Sequence, residues 1–443
     1  MINLFGTDGI RGMVYTYPLT PVALVSLGKA IALWAHEHNT QPHILLGHDT
    51  RESCLWIKTA LKQGLLSCAL TIADAGIVST PAVVALVERS GQFTHGIIVS
   101  ASHNSYQDNG IKIISRTTGK ITLHDELRIS QLMHEIEREA TQLILSREQR
   151  GHDYSWADAT GIYQNYLFES IQDKQLFENK KIVLDTANGA LYESAPYVFT
   201  ALGAQVVTLH NRPNGININH HCGAVYLDSL QQAVHEHNAL VGFAFDGDGD
   251  RIIAITQQGV IKDGDDILAL LLAHPEYTNT HTLVGTVMSN QALEQYCKQR
   301  NIEFLRTAVG DKYIAQMLTS GNLLLGGEPS GHIILRNYLS SGDGLLTALK
   351  LTQTLADTGN WDMCTFDKYP QIITTLAVKD KTNLDSSPIK DLIQENIRKL
   401  ATGRILVRYS GTEPLLRIMV EEQDPEHALY ISSQLTRSLQ DYI

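Results

Sequence analysis

The sequence predicts an α/β protein: three consecutive mixed α/β domains followed by a smaller C-terminal α+β domain. Two patterns and one length carry this. Apolar, β-rich runs alternate with helical stretches three times before Asp367, and the pattern then changes to β-α-β-β-α. A chain of 443 residues has room for about three or four domains of roughly 100–150 residues. In the first stretch ILLGHD (44–49) reads as a buried strand, PAVVALVER (81–89) as a helix and GIIVS (96–100) as another strand. In the second, KIVLD (181–185) leads to a helix around ESAPYVFTALG, the strand QVVTL, a helix around SLQQAVHEHN and the apolar ALVGFAF (239–245). In the third, TLVGTVM (282–288), the helix QALEQYCKQRN and the strand IEFLRTA precede NLLLGGEPSGHIIL. Alternation at this pitch predicts parallel sheets, with sites in loops leaving the carboxyl ends of strands. After a polar linker around Asp367–Gln371, ITTLAV (373–378) reads as a strand and PIKDLIQENIRKLA as a helix. Ser387 is expected to cap that helix, with Pro388 at its first position. GRILVRYS and LLRIMVEE then read as strands, and Asp424-Pro425 opens a final amphipathic helix.

Composition narrows the function classes. With 43% hydrophobic and 19% charged residues, dominant disorder is excluded. The longest apolar cluster, ILALLLA beside Asp266, is far short of the roughly 18–20 residues that cross a bilayer, so no membrane association is expected. The start, MINLFGTDGIRG, has no basic segment followed by an apolar one, and no signal peptide is expected. Five scattered cysteines (Cys54, Cys68, Cys222, Cys297, Cys364) without a CxxC pair fit reduced thiols and a cytoplasmic location. A net charge of -12 disfavours nonspecific nucleic-acid binding, which needs a basic surface, and confines anion binding to a locally basic pocket.

Five segments can carry chemistry. Asp246-Gly247-Asp248-Gly249-Asp250-Arg251 follows an apolar strand. Its three alternate carboxylates would repel one another unless a hard cation such as Mg²⁺ stood among them, and glycines let the loop curl so that they converge. The plain alternative is a solvated acidic turn. An EF-hand is excluded because Arg251 and Gln257 stand where glycine and glutamate belong, and a haloacid-dehalogenase-like motif would not carry Asp250 at its fifth position. The second segment, Ser100-Ala101-Ser102-His103-Asn104 with Asp108-Asn109-Gly110-Ile111-Lys112, places Ser102 on an exposed loop after a strand. His103 is too close in sequence to serve simply as its base, so a Ser-His hydrolase is poorly supported. A serine that carries phosphate would need a metal and nearby cations, which the aspartate loop and Lys112 could supply; a polar loop satisfying its own backbone is the alternative.

The third segment is Arg408-Tyr409-Ser410-Gly411-Thr412-Glu413-Pro414 with Arg417, where backbone amides, hydroxyls and two planar forks make a phosphate cradle or, more plainly, a turn between strands. Gly326-Gly327-Glu328-Pro329-Ser330-Gly331-His332 offers acceptor, hydroxyl and imidazole groups suited to sugar hydroxyls. Phe5-Gly6-Thr7-Asp8-Gly9-Ile10-Arg11-Gly12 surrounds Arg11 with glycines and otherwise reads as an N-terminal turn. No Walker A or HExxH pattern occurs, and His220-His221 reads as surface polar.

Together and in this order, FGTDGIRG, SASHNSYQDNGIK, FDGDGDR, GGEPSGH and RYSGTEPLLRIMVE resemble the α-D-phosphohexomutase superfamily. The likeness is greatest to its bacterial glucosamine-phosphate branch, through FGTDGIRG, NGININHHCGA (214–224) and SGTEP. Ser105, His48 and Pro329 depart from the usual proline, arginine and glutamine; Pro329 lies in the specificity loop. The resemblance implies four domains around a central active-site cleft, at 1–155, 156–254, 255–367 and 368–443. It implies isomerisation of glucosamine 6-phosphate to glucosamine 1-phosphate through a phosphoserine at Ser102 and a 1,6-bisphosphate intermediate. It implies Mg²⁺ on Ser102, Asp246, Asp248 and Asp250, with glucosamine or glucose 1,6-bisphosphate as activating donor. Arg11, Lys112 and His332 would support charge or proton transfer. His103, Arg251, Glu328, Ser330, Arg408, Ser410, Gly411, Thr412 and Arg417 would bind substrate. It leaves room for a homodimer. Two rivals stand: a metal-dependent phosphatase using Asp246 as nucleophile, and a non-catalytic sugar-phosphate binder.

Overall fold

A computed structural model describes residues 3–6, 8–139, 151–173, 175–378, 381–409, 414–440 and 442. Its first unit runs β1 (Ile10–Met13), α1 (Pro21–His38), β2 (His43–His48), α2 (Ser53–Leu66), β3 (Thr71–Ile77), α3 (Thr80–Arg89), β4 (His95–Val99), β5 (Asp108–Ser115), β6 (Gly119–Lys120), α4 (Leu123–Glu139) and β7 (His152–Ser155). The sheet order is β1-β5-β4-β2-β3-β7, with β6 beside β5. The second unit has α5 (Ala159–Glu169), β8 (Lys181–Asp185), α6 (Ser194–Ala201), β9 (Gln205–Leu209), α7 (Asp228–Glu236), β10 (Val241–Phe245), β11 (Ile252–Thr256) and β12 (Ile261–Lys262), in sheet order β12-β11-β10-β8-β9. The third has α8 (Gly264–Leu271), β13 (Thr282–Thr286), α9 (Gln291–Gln299), β14 (Glu303–Thr307), α10 (Asp311–Ser320), β15 (Leu325–Gly327), β16 (Ile333–Leu335) and α11 (Gly344–Thr358), in order β14-β13-β15-β16. The fourth is β17 (Gln371–Ala377), α12 (Ile389–Ile397), β18 (Arg404–Tyr409), β19 (Leu415–Glu421) and α13 (Pro425–Gln440), with β19 central in an antiparallel sheet.

The expected alternation is present, but the sheets are mixed rather than parallel. Parallel pairs β2-β4, β8-β10 and β13-β15 form the centres, and an antiparallel strand then follows each last parallel one: β5 after β4, β11 after β10, β16 after β15. The loops of interest are therefore hairpin connections, not strand-to-helix turns. Other expectations need correction. The stretch between Asp49 and Pro81 holds α2 and β3, in addition to the strand and helix expected on either side of it. The N-terminal glycine-rich segment is not a plain turn: Ile10–Met13 pairs with β5, Arg11 opposite Gly110. Ser387 does not cap α12; Pro388 occupies that position, and Ser387 Oγ donates instead to Asp391 Oδ2 at 2.6 Å. The boundary expected after residue 254 falls inside β11, whose ladder continues to Lys262 in β12.

One apolar cluster runs from Leu45 through Phe243 and Phe245 to Leu349 and Met363, so the first three units share a core, while the fourth has its own around Ile418, Ile431 and Leu435. The fourth unit is held to the third by polar contacts. Arg404 donates to the Val287 and Ser289 carbonyls at 2.9 and 2.7 Å, and Glu421 accepts from Gln291 N at 2.7 Å. A buried pair links units two and three: the Tyr163 hydroxyl lies 2.9 Å from both oxygens of Asp343, the side chain that caps α11 through Leu346 N.

Two predictions follow from this packing. Helices α1 and α2 cross backbone to backbone at glycines, and a Cβ on Gly64 would meet Val25 O at 2.1 Å and Lys29 N at 2.6 Å. Gly64→Ala should therefore destabilise the chain by about 1–3 kcal/mol in urea unfolding. Burial raises Asp343 from 3.8 to about 7. Between those values the unfolded chain has released a proton that the folded chain keeps, so Asp343 lowers stability progressively as pH rises from about 4 to about 7. In thermal melts across that window, Asp343→Asn should lose stability less steeply with rising pH than the parent.

Candidate active site

Three carboxylates meet at the β10–β11 hairpin. One oxygen each of Asp246, Asp248 and Asp250 lies within 4.8 Å of the other two, and all three residues are buried. Gly249 takes a left-handed φ of 75°, and a Cβ on Gly247 would meet Ser102 O at 2.6 Å, so the loop can curl this tightly against the β4–β5 loop only as glycine. Lys112, from β5, puts Nζ 2.8 Å from Asp248 and 3.0 Å from Asp250. Thr80 at the start of α3 donates from both its amide and hydroxyl to Asp248. Burial works against charge on Lys112, but Asp248, Asp250 and Asp8 outweigh it and raise the ammonium's pKa. Burial likewise opposes charge on Asp250, yet Lys112 and His332 hold it well below the usual carboxylate range. Asp246 goes the other way: burial, then the charges of Asp250 and Asp248, push it well up. Three carboxylates thus share the Lys112 ammonium, which lies within 3.0 Å of two of them. Among the described residues, Asp248 Oδ1 and Asp250 Oδ1 are buried without a hydrogen-bond donor, so oxygen-only donors converge with unused lone pairs. That donor set fits a hard divalent cation.

Ser102 is not exposed, as the sequence reading expected, but fully buried, because the aspartate loop closes over it. Its Oγ donates to Asp246 Oδ2 at 2.6 Å and lies 3.3 Å from His103 Nδ1, so the neighbouring imidazole does reach it. Burial and the charges of Arg251 and Arg11 lower His103 to about 4, leaving the ring neutral at pH 7. Ser102 holds a φ of 53°, a left-handed conformation costly for a residue with a Cβ. Two side chains from different units enforce it. Arg51 Nη2 donates to the carbonyls of Ser102 and Asn104 at 2.9 Å each, and Asn219 Nδ2 donates to the same two at 2.8 and 2.9 Å. Arg51 is fixed in turn by Asp49 at 3.0 Å, with both side chains fully buried, and Asp49 also accepts from Ser100 Oγ at 2.6 Å.

The remaining candidates fall into three groups. Arg11, Lys112, Arg251 and His332 join the buried cluster. Arg11 donates to Ala101 O at 3.4 Å and pairs with Asp8, and Asp8 also meets Lys112 and Lys120. Arg251 Nε stands 3.9 Å from Asp250. His332 sits between Asp250 at 3.6 Å and Asp311 at 3.3 Å, and those carboxylates raise its pKa against burial. Glu328 and Ser330 form a second group in the β15–β16 hairpin, where Glu328 accepts from Gly310 N at 2.9 Å and from Ser330 Oγ at 3.3 Å. This hairpin docks on the aspartate loop's exit, with Ile252 N donating to Gly331 O at 3.0 Å. Arg408 and Arg417 form the third group, directly opposite each other on β18 and β19. Ser410, Gly411 and Thr412 lie outside the described residues. Sequence reasoning missed Asp8, Thr80, Lys120, Asn219 and Asp311 as members of the site. Asp8 and Asn219 stand in the segments FGTDGIRG and NGININHHCGA, whereas Lys120, Thr80 and Asp311 lie in stretches with no distinguishing pattern.

The chain matches four family models in order along its length. They are phosphoglucomutase/phosphomannomutase alpha/beta/alpha domain I over residues 3–140, domain II over 159–259, domain III over 263–365 and the C-terminal domain over 376–438. A phosphoglucosamine mutase of Thermodesulfovibrio yellowstonii is 37% identical over 447 aligned residues, covering 98% of each chain. A phosphoglucomutase/phosphomannomutase family protein from Burkholderia thailandensis shares the fold with a TM-score of 0.80 at 22% identity, over 100% of this chain and 98% of that one. An Aspergillus fumigatus N-acetylphosphoglucosamine mutase, solved in complex with GlcNAc-6P and magnesium, does so with a TM-score of 0.66 at 15% identity, over 100% of this chain and 96% of that one.

The double clamp on the Ser102 carbonyl yields a structural prediction. In Asn219→Ala, amides of residues 101–105 should exchange roughly tenfold faster or more, the loss of about 1.4 kcal/mol of local protection, while β4 amides keep parental rates in hydrogen-exchange mass spectrometry.

Proposed function

Because this chain belongs to the phosphoglucomutase/phosphomannomutase family, we propose that it is an isomerase that converts glucosamine 6-phosphate to glucosamine 1-phosphate, through a phosphoserine at Ser102 and a sugar 1,6-bisphosphate. The observation that carries this reading is the burial of Ser102 Oγ 2.6 Å from Asp246, inside a three-carboxylate cluster that Lys112 enters from the same unit. A hydroxyl so placed suits phosphoryl transfer, where catalysis is positioning and charge compensation.

In this reading Asp246, Asp248 and Asp250, with an oxygen of the phosphorylated Ser102, hold Mg²⁺. The ion supplies Lewis-acid neutralisation of the transferring phosphoryl oxygens. The chain's own groups do the rest. Lys112 and Arg11 hold positive charge beside the phosphoryl group on Ser102 Oγ; His103 and Arg251 bind the substrate next to it. The sugar hydroxyl attacks phosphorus, the Ser102 Oγ–P bond breaks, the hydroxyl's proton passes to a neighbouring base, and Ser102 Oγ takes up a proton as it leaves. His332, poised between two carboxylates, supports that proton transfer. The bisphosphate then turns end for end and returns its other phosphate to Ser102. Glu328 and Ser330 contact ring hydroxyls in either orientation. Arg408, Arg417 and the Ser410, Gly411 and Thr412 segment grip whichever phosphate is not reacting. Glucosamine or glucose 1,6-bisphosphate recharges an enzyme that has lost its phosphate. A small-molecule substrate and free thiols support a cytoplasmic location for the reaction.

Intact-mass analysis and peptide mapping should find phosphate on the Ser102 peptide. With Mg²⁺ and a catalytic amount of sugar bisphosphate, Ser102→Ala should isomerise glucosamine 6-phosphate at least about 1,000-fold more slowly. Undiminished isomerisation by Ser102→Ala, or release of inorganic phosphate that depends on Asp246 and not on Ser102, would overturn this assignment in favour of a phosphatase.

A further inference from the structure

Beneath the active-site loops of the second unit lies a cluster that the proposed reaction does not use. Asp185 ends β8, His210 follows the end of the neighbouring strand β9, and Cys222 precedes the short turn Gly223–Val225. The parallel register pairs Asp185 with Leu209, which delivers the next residue, His210, to the Asp185 side chain. His210 Nδ1 stands 3.0 Å from Asp185 Oδ2, and one donor atom from each of Asp185, His210 and Cys222 lies within 4.8 Å of the other two. We propose that Asp185, His210 and Cys222 form a second cation site, one that takes a borderline divalent ion of the zinc type.

The donor chemistry selects that class. One carboxylate oxygen, one imidazole nitrogen and one sulfur make a mixed hard and soft set, which the oxygen-preferring Mg²⁺ of the aspartate loop does not favour and Zn²⁺ does. Ligands of a tetrahedral zinc stand about 3.5 Å from one another, so the three atoms need only small adjustments. Charge balances as well. A thiolate and a carboxylate neutralise a divalent ion, so the occupied site carries no net charge into the interior, where Asp185 is 0% and Cys222 1% exposed. His210, with its side chain 30% exposed, is the ligand nearest solvent.

The surroundings hold the ligands in place. Asp185 accepts from Ala187 N at 2.9 Å and Gly223 N at 3.0 Å, which orients the carboxylate. His210 has a left-handed φ of 48°, and its carbonyl accepts from Asn188 N at 2.6 Å and Thr186 Oγ1 at 2.8 Å. Gly223 packs so closely that a Cβ would meet both Ala187 Cβ and Phe245 O at 2.6 Å, which fixes the approach of Cys222. Such supporting contacts are what a metal site needs around its ligands. A nucleophilic Cys-His-Asp reading fails here. Burial and the Asp185 charge push the Cys222 thiol to about 12, so without a cation it keeps its proton. On binding, the Sγ–H bond breaks and the Sγ–metal bond forms, with that proton and any carried by His210 Nδ1 released to water. The site would pin the 210–223 segment to β8. Asn219, which clamps the Ser102 loop, lies in that segment.

The test is Co²⁺ titration of the full reduced chain with excess Mg²⁺ occupying oxygen-only sites. We expect a near-ultraviolet thiolate-to-cobalt charge-transfer band with visible bands of a tetrahedral ion, both abolished by one equivalent of Zn²⁺. Cys222→Ser should lose the charge-transfer band, while Cys364→Ser, altered at an exposed thiol, should retain it. If Cys222→Ser fails to fold by circular dichroism, His210→Ala serves instead and should change the visible bands. Absence of the band in the parent, its persistence in Cys222→Ser, or an unchanged spectrum in His210→Ala would each overturn the proposal. None of these readouts depends on mutase activity.

Discussion

Three carboxylates buried within 4.8 Å of one another are a charge density that a protein interior cannot hold unaided, and much of this molecule is arranged around that fact. Lys112 reaches them from the first unit, Thr80 donates to Asp248 from the start of α3, and His332 approaches Asp250 from the third unit. Gly344 N, at the start of α11, donates to Gly249 O at 3.0 Å. The aspartate loop is therefore the place where three units must meet in correct register. The compensation is also incomplete: Asp250 is held low while Asp246 is pushed up. Folding gathers the carboxylates and, among the described residues, leaves Asp248 Oδ1 and Asp250 Oδ1 without a donor, which suits the binding of an ion.

A shared local architecture underlies the dispersed motifs. Each of the first three sheets adds an antiparallel strand directly after a parallel one, and the candidate loops at Ser102, Asp246–Arg251 and Glu328–His332 are those hairpin connections. The Arg408–Arg417 pair stands on a hairpin too, in the fourth sheet. A hairpin holds both ends of a loop by strand pairing, so side chains at its tip have less freedom than on a strand-to-helix connection. The sharing of one apolar core by the first three units fixes their hairpins against one another, whereas the fourth has a separate core and attaches through Arg404, Glu421 and Asn290. Its arginine pair is the part of the candidate site that stands outside the shared core.

What could be read from the sequence follows from what is local. Strands such as 181–185 and 241–245 are runs of buried residues bounded by polar turns, and periodicity alone finds them. The aspartate loop is legible because all three carboxylates lie within five residues, where their repulsion can be reasoned out. The antiparallel order of β5, β11 and β16 was not legible, since a buried strand has the same composition in either direction. Nor was the burial of Ser102, which depends on a loop 144 residues away closing over it. Arg51 and Asn219 illustrate the same limit. Each looks like an ordinary polar residue in its own segment, and only the fold shows both donating to the same two carbonyls. The misreading of Ser387 has a local cause: Ser-Pro before an apolar run fits a capping pattern, and the hydroxyl finds Asp391 instead.

The complete burial of Ser102 bears on how long a charged enzyme can wait for substrate. A phosphate ester on an exposed loop stands in water, and stray hydrolysis drains it whenever sugar is scarce. On the proposed chemistry, the ester would instead stand against the aspartate loop, away from bulk water, with the Ser102 and Asn104 carbonyls tied off by Arg51 and Asn219. Only a sugar bound firmly enough to displace solvent from the remaining face could then take the phosphoryl group. The same closure that hides the serine from a sequence reader would make transfer to sugar win over transfer to water, and would let one phosphate serve many turnovers.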